Sequence, residues 1–142
     1  MNSSDNDIKV KLIKEALLAS DMAYSPYSGY CVGAALLTAS GRIYTGCNIE
    51  NSSYGATNCA ERTAIFKAVS EGEKDFTAIA IAGHKRGEKP VEYAFPCGIC
   101  RQVMAEFCKK DFKVIVAISE EDFKEYRLEE ILPESFGSDC FM

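Results

Sequence analysis

The chain predicts an α/β fold built on a mixed sheet of about five strands, and three features of its sequence predict it. Helical and strand periodicities alternate along the chain. Ser40-Gly41 joins two of the strands as a hairpin, which makes them antiparallel. A strand, helix, strand run in the second half requires a right-handed crossover, which makes its two strands parallel.

The elements follow in order. Residues 8–23 carry Leu12, Ile13, Ala16 and Leu17 at helical spacing and predict a first helix. Residues 32–38 and 42–46 form the hairpin. From Asn58 onward Ala64, Ile65, Ala68 and Val69 make one face of a second helix that ends near Gly72, with Cys59 and Glu61 in its first turn. Residues 77–82 read as a short buried strand, 97–109 as a third helix with Val103, Met104 and Phe107 inward, and 113–118 as another strand. Residues 123–126 supply a fifth strand and 128–132 a short helix. The stretch 83–96 is the one long connection, and it leads directly into a cysteine motif.

Composition sets limits on function. At 142 residues the chain is expected to be a single domain over residues 1–142. Sixteen basic against 21 acidic residues give a net charge of −5, which argues against a partner whose phosphates must be neutralised and favours a small, uncharged substrate over DNA or RNA. Lys85, Arg86 and Lys89 are interrupted by Glu88 and read as a solvated loop. No apolar stretch approaches the roughly 20 residues that span a bilayer. Seven cysteines are an odd number, and Met1-Asn2-Ser3-Ser4-Asp5 lacks the basic start and apolar run of a signal peptide, so the expected compartment is the reducing cytoplasm. Cys31, Cys47 and Cys108 stand outside any motif and read as small buried hydrophobes, with Cys140 in a frayed tail.

The chemistry lies in Cys59-Ala60-Glu61 and Pro96-Cys97-Gly98-Ile99-Cys100. Cys97 and Cys100, in the first turn of a helix opened by Pro96, project to one side and can share a metal. With Cys59 they make three thiolates, and a three-ligand zinc site keeps its fourth position for a water that the metal acidifies. Glu61 is two residues from Cys59 and does not face it on a helix, so it reads as a proton carrier for that water and not as a fourth ligand. His84, the only histidine, has Lys85 and Arg86 beside it and reads as exposed and incidental.

These motifs carry a resemblance. A Cys or His, any residue, Glu, then Pro-Cys-x-x-Cys is the pattern of the zinc deaminases that act on nucleobases. Further segments extend it: Ala23-Tyr24-Ser25-Pro26-Tyr27-Ser28, Val32-Gly33-Ala34-Ala35-Leu36, Gly46-Cys47-Asn48-Ile49-Glu50-Asn51, Arg62-Thr63-Ala64, Cys100-Arg101-Gln102-Val103 and Leu132-Pro133 with Phe136. Together they resemble the small homotetrameric cytidine deaminases over about residues 8–137. The resemblance implies a three-layer α/β/α sandwich and one Zn2+ per subunit. It also implies a free nucleoside substrate, cytidine or deoxycytidine, deaminated at C4 to its uracil counterpart with release of ammonia.

The resemblance also assigns roles. Asn48 and Glu50, which spacing alone allows as sugar ligands or as a polar end to a strand, become the ribose contacts. Tyr30 stands where the family has a Phe that packs on the pyrimidine, and Ala60 joins the substrate pocket. Tyr54 and Phe136 match positions that reach a neighbouring subunit's site, which implies a homotetramer with composite sites. Three thiolates leave the metal centre negative, and compensation is expected from the two helix starts, from Arg62 and, less directly, from Arg101. Other outcomes share the frame: a deaminase of a related compound such as blasticidin S, a nucleic-acid editor, or a non-catalytic zinc-stapled binding module. Asn48, Glu50 and Phe136 disfavour the first, acidity the second, and the lack of a fourth ligand with motif spacing the third.

Overall fold

A computed structural model describes residues 3–141. Its elements are α1 (Ser3–Ser20), β1 (Tyr30–Thr38), β2 (Ile43–Cys47), α2 (Ala60–Ser70), β3 (Phe76–Lys85), α3 (Gly98–Phe107), β4 (Lys113–Ala117), β5 (Phe123–Arg127) and α4 (Leu128–Ile131), with short 3-10 turns at Tyr54–Ala56 and Ser138–Cys140. The five strands form one sheet in the order β2-β1-β3-β4-β5. Only β3 and β4 run parallel, as the strand, helix, strand unit requires; the other neighbours are antiparallel.

Alternation along the strands separates two cores. Ala34, Leu36, Ile79, Ile81, Val114 and Val116 pack with Ala64, Ile65 and Ala68 of α2 and Met104 of α3. Ala35, Ala78, Ala80, Ala82, Ile115 and Ala117 face the other way, onto Leu12, Ile13 and Ala16 of α1. Side chains of successive residues leave a strand on opposite faces, so one buried sheet serves both layers. The result is the expected α/β/α sandwich.

Two glycines set how closely the helices lie. A Cβ at Gly33 would stand 2.0 Å from the carbonyl oxygen of Ala16, and one at Gly46 would stand 2.5 Å from both Ala60 O and Ala64 N. The second approach seats the start of α2, and Cys59 with it, against β2. Gly46→Ala therefore pushes α2 outward. We expect a loss of about 3 kcal/mol, at the upper end of overpacking costs, and weaker zinc binding, read by thermal melts and by chelator competition.

Several boundaries and placements differ from the sequence reading. α1 begins at Ser3 and stops at Ser20, whose hydroxyl donates back to Leu17 O at 2.6 Å. β3 runs on through Lys85, because Tyr30, Cys31 and Val32 of β1 pair with Lys85, His84 and Gly83; the long connection starts at Arg86 and not at Gly83. His84 is not an exposed residue: its side chain is 11% accessible, packed at the end of α1 with Nε2 3.0 Å from Ser20 Oγ and Nδ1 2.8 Å from Lys85 O. The tail is not simply frayed, since Phe136 and Phe141 meet edge to face and Gln102 Nε2 donates to Phe136 O at 2.8 Å. Cys31 is buried as expected, whereas Cys47 and Cys108 are half-buried. No helix among the described residues is long and apolar enough to cross a membrane.

Candidate active site

The two cysteine motifs meet where α2 and α3 begin. Cys59 is the N-cap of α2 and Cys97 the N-cap of α3, both in extended backbone, and Pro96 precedes the cap instead of opening the helix. Each cap carbonyl accepts the first helical bond, from Thr63 N and Arg101 N. Neither sulfur is spent on a capping hydrogen bond, so both stay available as ligands at the positive ends of two helix dipoles. Cys100, in the first turn of α3, is fully buried.

The sulfurs converge. Cys59 Sγ lies 3.7 Å from Cys97 Sγ, and Cys97 Sγ lies 3.6 Å from Cys100 Sγ. Two thiolates about 2.3 Å from a tetrahedral zinc stand about 3.8 Å apart, so the observed spacing fits that ion. Among the described residues this is the one cluster of three or more His, Cys, Asp or Glu side chains able to hold a metal. Without a cation the thiolates compete for charge. Hydrogen bonds from Cys100 and Arg62 hold the Cys59 thiol down to about 5, while the bond to Cys59 and burial push Cys100 far above its ordinary range. A divalent ion removes that competition by binding all three deprotonated sulfurs.

Glu61 follows directly. Its side chain is 3% exposed, on the second residue of α2. Burial pushes its carboxyl up to about 7, the Cys59 charge adds to the rise and Arg62 opposes it. A buried carboxyl beside the sulfurs suits proton transfer in both directions, and the charge of a bound zinc favours its ionised, proton-accepting form.

Arg62 reaches the sulfurs. Its Nη2 donates to Cys59 Sγ at 3.3 Å, and its Nε is buried with no hydrogen-bond partner. Arg101 does not address the sulfurs. Its Nε donates to Pro96 O at 2.8 Å and its Nη1 to Ile131 O at 2.7 Å, so it ties the entry of α3 to α4. We expect Arg62→Gln to keep the fold and to weaken zinc affinity or turnover by about 10- to 100-fold, the usual effect of losing a ligand's outer partner, measured by competition with a chromogenic chelator.

A second group of residues lies beyond the end of β2. Glu50 Oε1 accepts from Tyr27 N at 2.9 Å and Ser28 N at 3.1 Å, and Oε2 accepts from the Ser28 hydroxyl. These bonds, the hydroxyl's foremost, hold the carboxyl below its ordinary range. Tyr27, Ser28, Glu50, Tyr54 and Thr57 line a cavity of about 380 Å³. Asn48 is turned toward β1: its Oδ1 accepts from Val32 N at 2.8 Å and its Nδ2 donates to Tyr30 O at 2.9 Å. One amide hydrogen and one lone pair remain for a ligand.

The other expected residues lie as follows. Tyr30 lies against Gly83, where a Cβ would stand 2.9 Å from its ring, and Ala60 is fully buried between Cys59 and Glu61. Tyr54 is 76% exposed and edge-on to Tyr27 at the rim of its own chain's cavity, and Phe136 is 60% exposed in the tail. Sequence reasoning gave no role to Tyr27, Ser28 or Thr63. Thr63 Oγ1 accepts from Asn58 and lies 3.0 Å from Cys47 O and 3.2 Å from Cys59 O, pinning α2 to β2. The turn-forming run Ser25-Pro26-Tyr27-Ser28-Gly29 was the available signal for the Glu50 partners.

Comparison with known proteins agrees with this geometry. Residues 7–117 match the family described as the cytidine and deoxycytidylate deaminase zinc-binding region. A cytidine deaminase of Halalkalibacterium halodurans is 51% identical over 128 residues, covering 90% of this chain and 93% of that protein. One from Sporosarcina psychrophila is 50% identical over 129 residues, covering 91% of each. The crystal structure of a cytidine deaminase from Burkholderia pseudomallei superposes with a TM-score of 0.81 at 40% identity, over 96% of this chain and all of that one.

Proposed function

The chain belongs to the cytidine and deoxycytidylate deaminase family, and from that premise we propose that Cys59, Cys97 and Cys100 hold one Zn2+ while Glu61 moves the protons of the reaction. The reaction is the hydrolytic deamination of cytidine and deoxycytidine to uridine and deoxyuridine, with release of ammonia. The carrying observation is the buried carboxyl of Glu61 beside three sulfurs at zinc-ligand spacing.

Bound zinc supplies Lewis acidity, which makes water a nucleophile at neutral pH. The remaining steps belong to the chain. Glu61 takes a proton from the attacking water and gives it to N3 of the ring, which makes C4 electrophilic; a second transfer through the same carboxyl accompanies departure of the amine as ammonia. Arg62 steadies the Cys59 thiolate throughout. Tyr30 covers one face of the pyrimidine, the buried Ala60 backbone faces its polar edge, and Asn48 and Glu50 take the sugar hydroxyls.

The assembly is a homotetramer in which Tyr54 and Phe136 complete neighbouring sites. Their exposure, with that of Phe66, Phe95 and Ile99, supports it: large apolar side chains in this number are what subunit contact covers. Free thiols throughout suit a reducing cytoplasm. A substrate panel tests the reading. Ammonia release and the absorbance change at the pyrimidine should appear with cytidine and deoxycytidine and be weak with free cytosine or cytidine monophosphate; equal rates on cytosine would remove Asn48 and Glu50 from the account.

A further inference from the structure

Arg86 takes no part in the chemistry above, yet its side chain is committed to the turn that grips Glu50. Residues 25–29 form no strand or helix. They close on themselves through Gly29 N donating to Ser25 O at 3.0 Å, with Gly29 in the left-handed region at φ 69. On one side the turn presents Tyr27 N, Ser28 N and the Ser28 hydroxyl to Glu50. On the other, Arg86 binds it twice, through its backbone N to Gly29 O at 2.8 Å and through Nη2 to Ser25 Oγ at 2.8 Å. Ser25 is 1% exposed, so water cannot easily replace the guanidinium. The polar loop after β3 thus reaches back across the chain.

We propose that Arg86 is a positioning residue for the substrate's sugar: by clamping the 25–29 turn to the end of β3, it fixes the direction in which the Glu50 carboxylate meets a sugar hydroxyl. The proposal rests on Glu50 as a sugar ligand. Three of the carboxylate's acceptor sites are taken by the turn, so its remaining capacity points where the turn dictates, toward the 380 Å³ cavity. Acceptor geometry toward a hydroxyl weakens steeply with misalignment. The sugar does not change during deamination, so a loosened Glu50 weakens substrate and transition state alike and enters KM rather than kcat.

Arg86→Met keeps the backbone bond and the apolar stem and deletes only the guanidinium. Steady-state kinetics on zinc-quantified protein, with cytidine and with 2′,3′-dideoxycytidine, read the effect beside Glu50→Gln. The expected result is a rise of about tenfold in KM for cytidine, in line with one hydrogen bond to a charged group, with kcat and the dideoxynucleoside efficiency held within about twofold. Arg86→Lys should recover most of the loss. Ser25→Ala, which removes the acceptor and keeps the arginine, should reproduce the same sugar-dependent split and serves if Arg86→Met folds poorly. Equal losses on both substrates, a loss in kcat, or no loss at all overturns the positioning role. If Glu50→Gln itself fails to distinguish the two sugars, the sugar reading falls and this proposal with it; if Glu50→Gln distinguishes them and neither Arg86→Met nor Ser25→Ala does, only the Arg86 proposal falls.

Discussion

Glu61→Gln should reduce turnover on cytidine by at least about 10³-fold, within the range that a positioned general acid and base supplies, while the protein still binds zinc. Glutamine preserves the shape of a side chain that is 3% exposed, so neither cavity nor overpacking accompanies the change. What it removes is the one group beside the sulfurs able to accept a proton and return it. The amide has no such chemistry, and in metal-stripped protein it needs no charge stabilisation where burial and Cys59 disfavour a carboxylate. Stability of the metal-stripped variant should therefore hold or rise slightly. Metal content by atomic absorption, a thermal melt and single-turnover kinetics separate these effects. A variant that binds zinc and keeps wild-type turnover would show that protons move by another route.

Cys100→Ala should abolish both zinc binding and activity, a loss of more than about 10⁴-fold in turnover, because the metal brings the pKa of water from 15.7 to about 7 and nothing else in the site does so. Cys100 is the fully buried member of the three and has no solvent substitute. Two sulfurs remain, with Arg62 still on Cys59, but the third ligand is gone, and with it the Cys100 hydrogen bond that does most to hold the Cys59 thiol down. A ligand that binds only the folded state adds its binding free energy to stability. The variant and metal-stripped wild type should therefore melt close together, both below the zinc-loaded protein. Melting with and without chelator is the check, and a variant that titrates one zinc with wild-type affinity would remove Cys100 from the ligand set.

What the sequence disclosed follows the range of each interaction. Cys97 and Cys100 share one turn of helix, and Cys59 and Glu61 share another, so short-range spacing is enough to bring out the sulfurs that meet in the structure and the carboxyl beside them. The sheet was legible for the same reason, since strand alternation and the Ser40-Gly41 turn are local signals. The Glu50 brace was not, because its donors Tyr27 and Ser28 lie 23 and 22 residues away and two of the three bonds use backbone N–H groups that every residue has. Arg86 and Ser25, 61 residues apart, meet only because β1 and β3 are neighbours. The polarity of Lys85 and Arg86 carries no information about His84, which lies on the face of β3 that the end of α1 covers. Arg101 adjoins a ligand in sequence, but the carbonyls of Pro96 and Ile131 draw its guanidinium away from the sulfurs.

The most direct test of a three-thiolate zinc centre that deaminates nucleosides is a reconstitution titration: metal-stripped protein receives measured zinc while ammonia release from cytidine is followed. Activity should rise in proportion to bound zinc and reach its plateau at one ion per chain. Full turnover in metal-stripped protein, or a chain carrying one zinc that releases no ammonia from cytidine or deoxycytidine, would contradict the account.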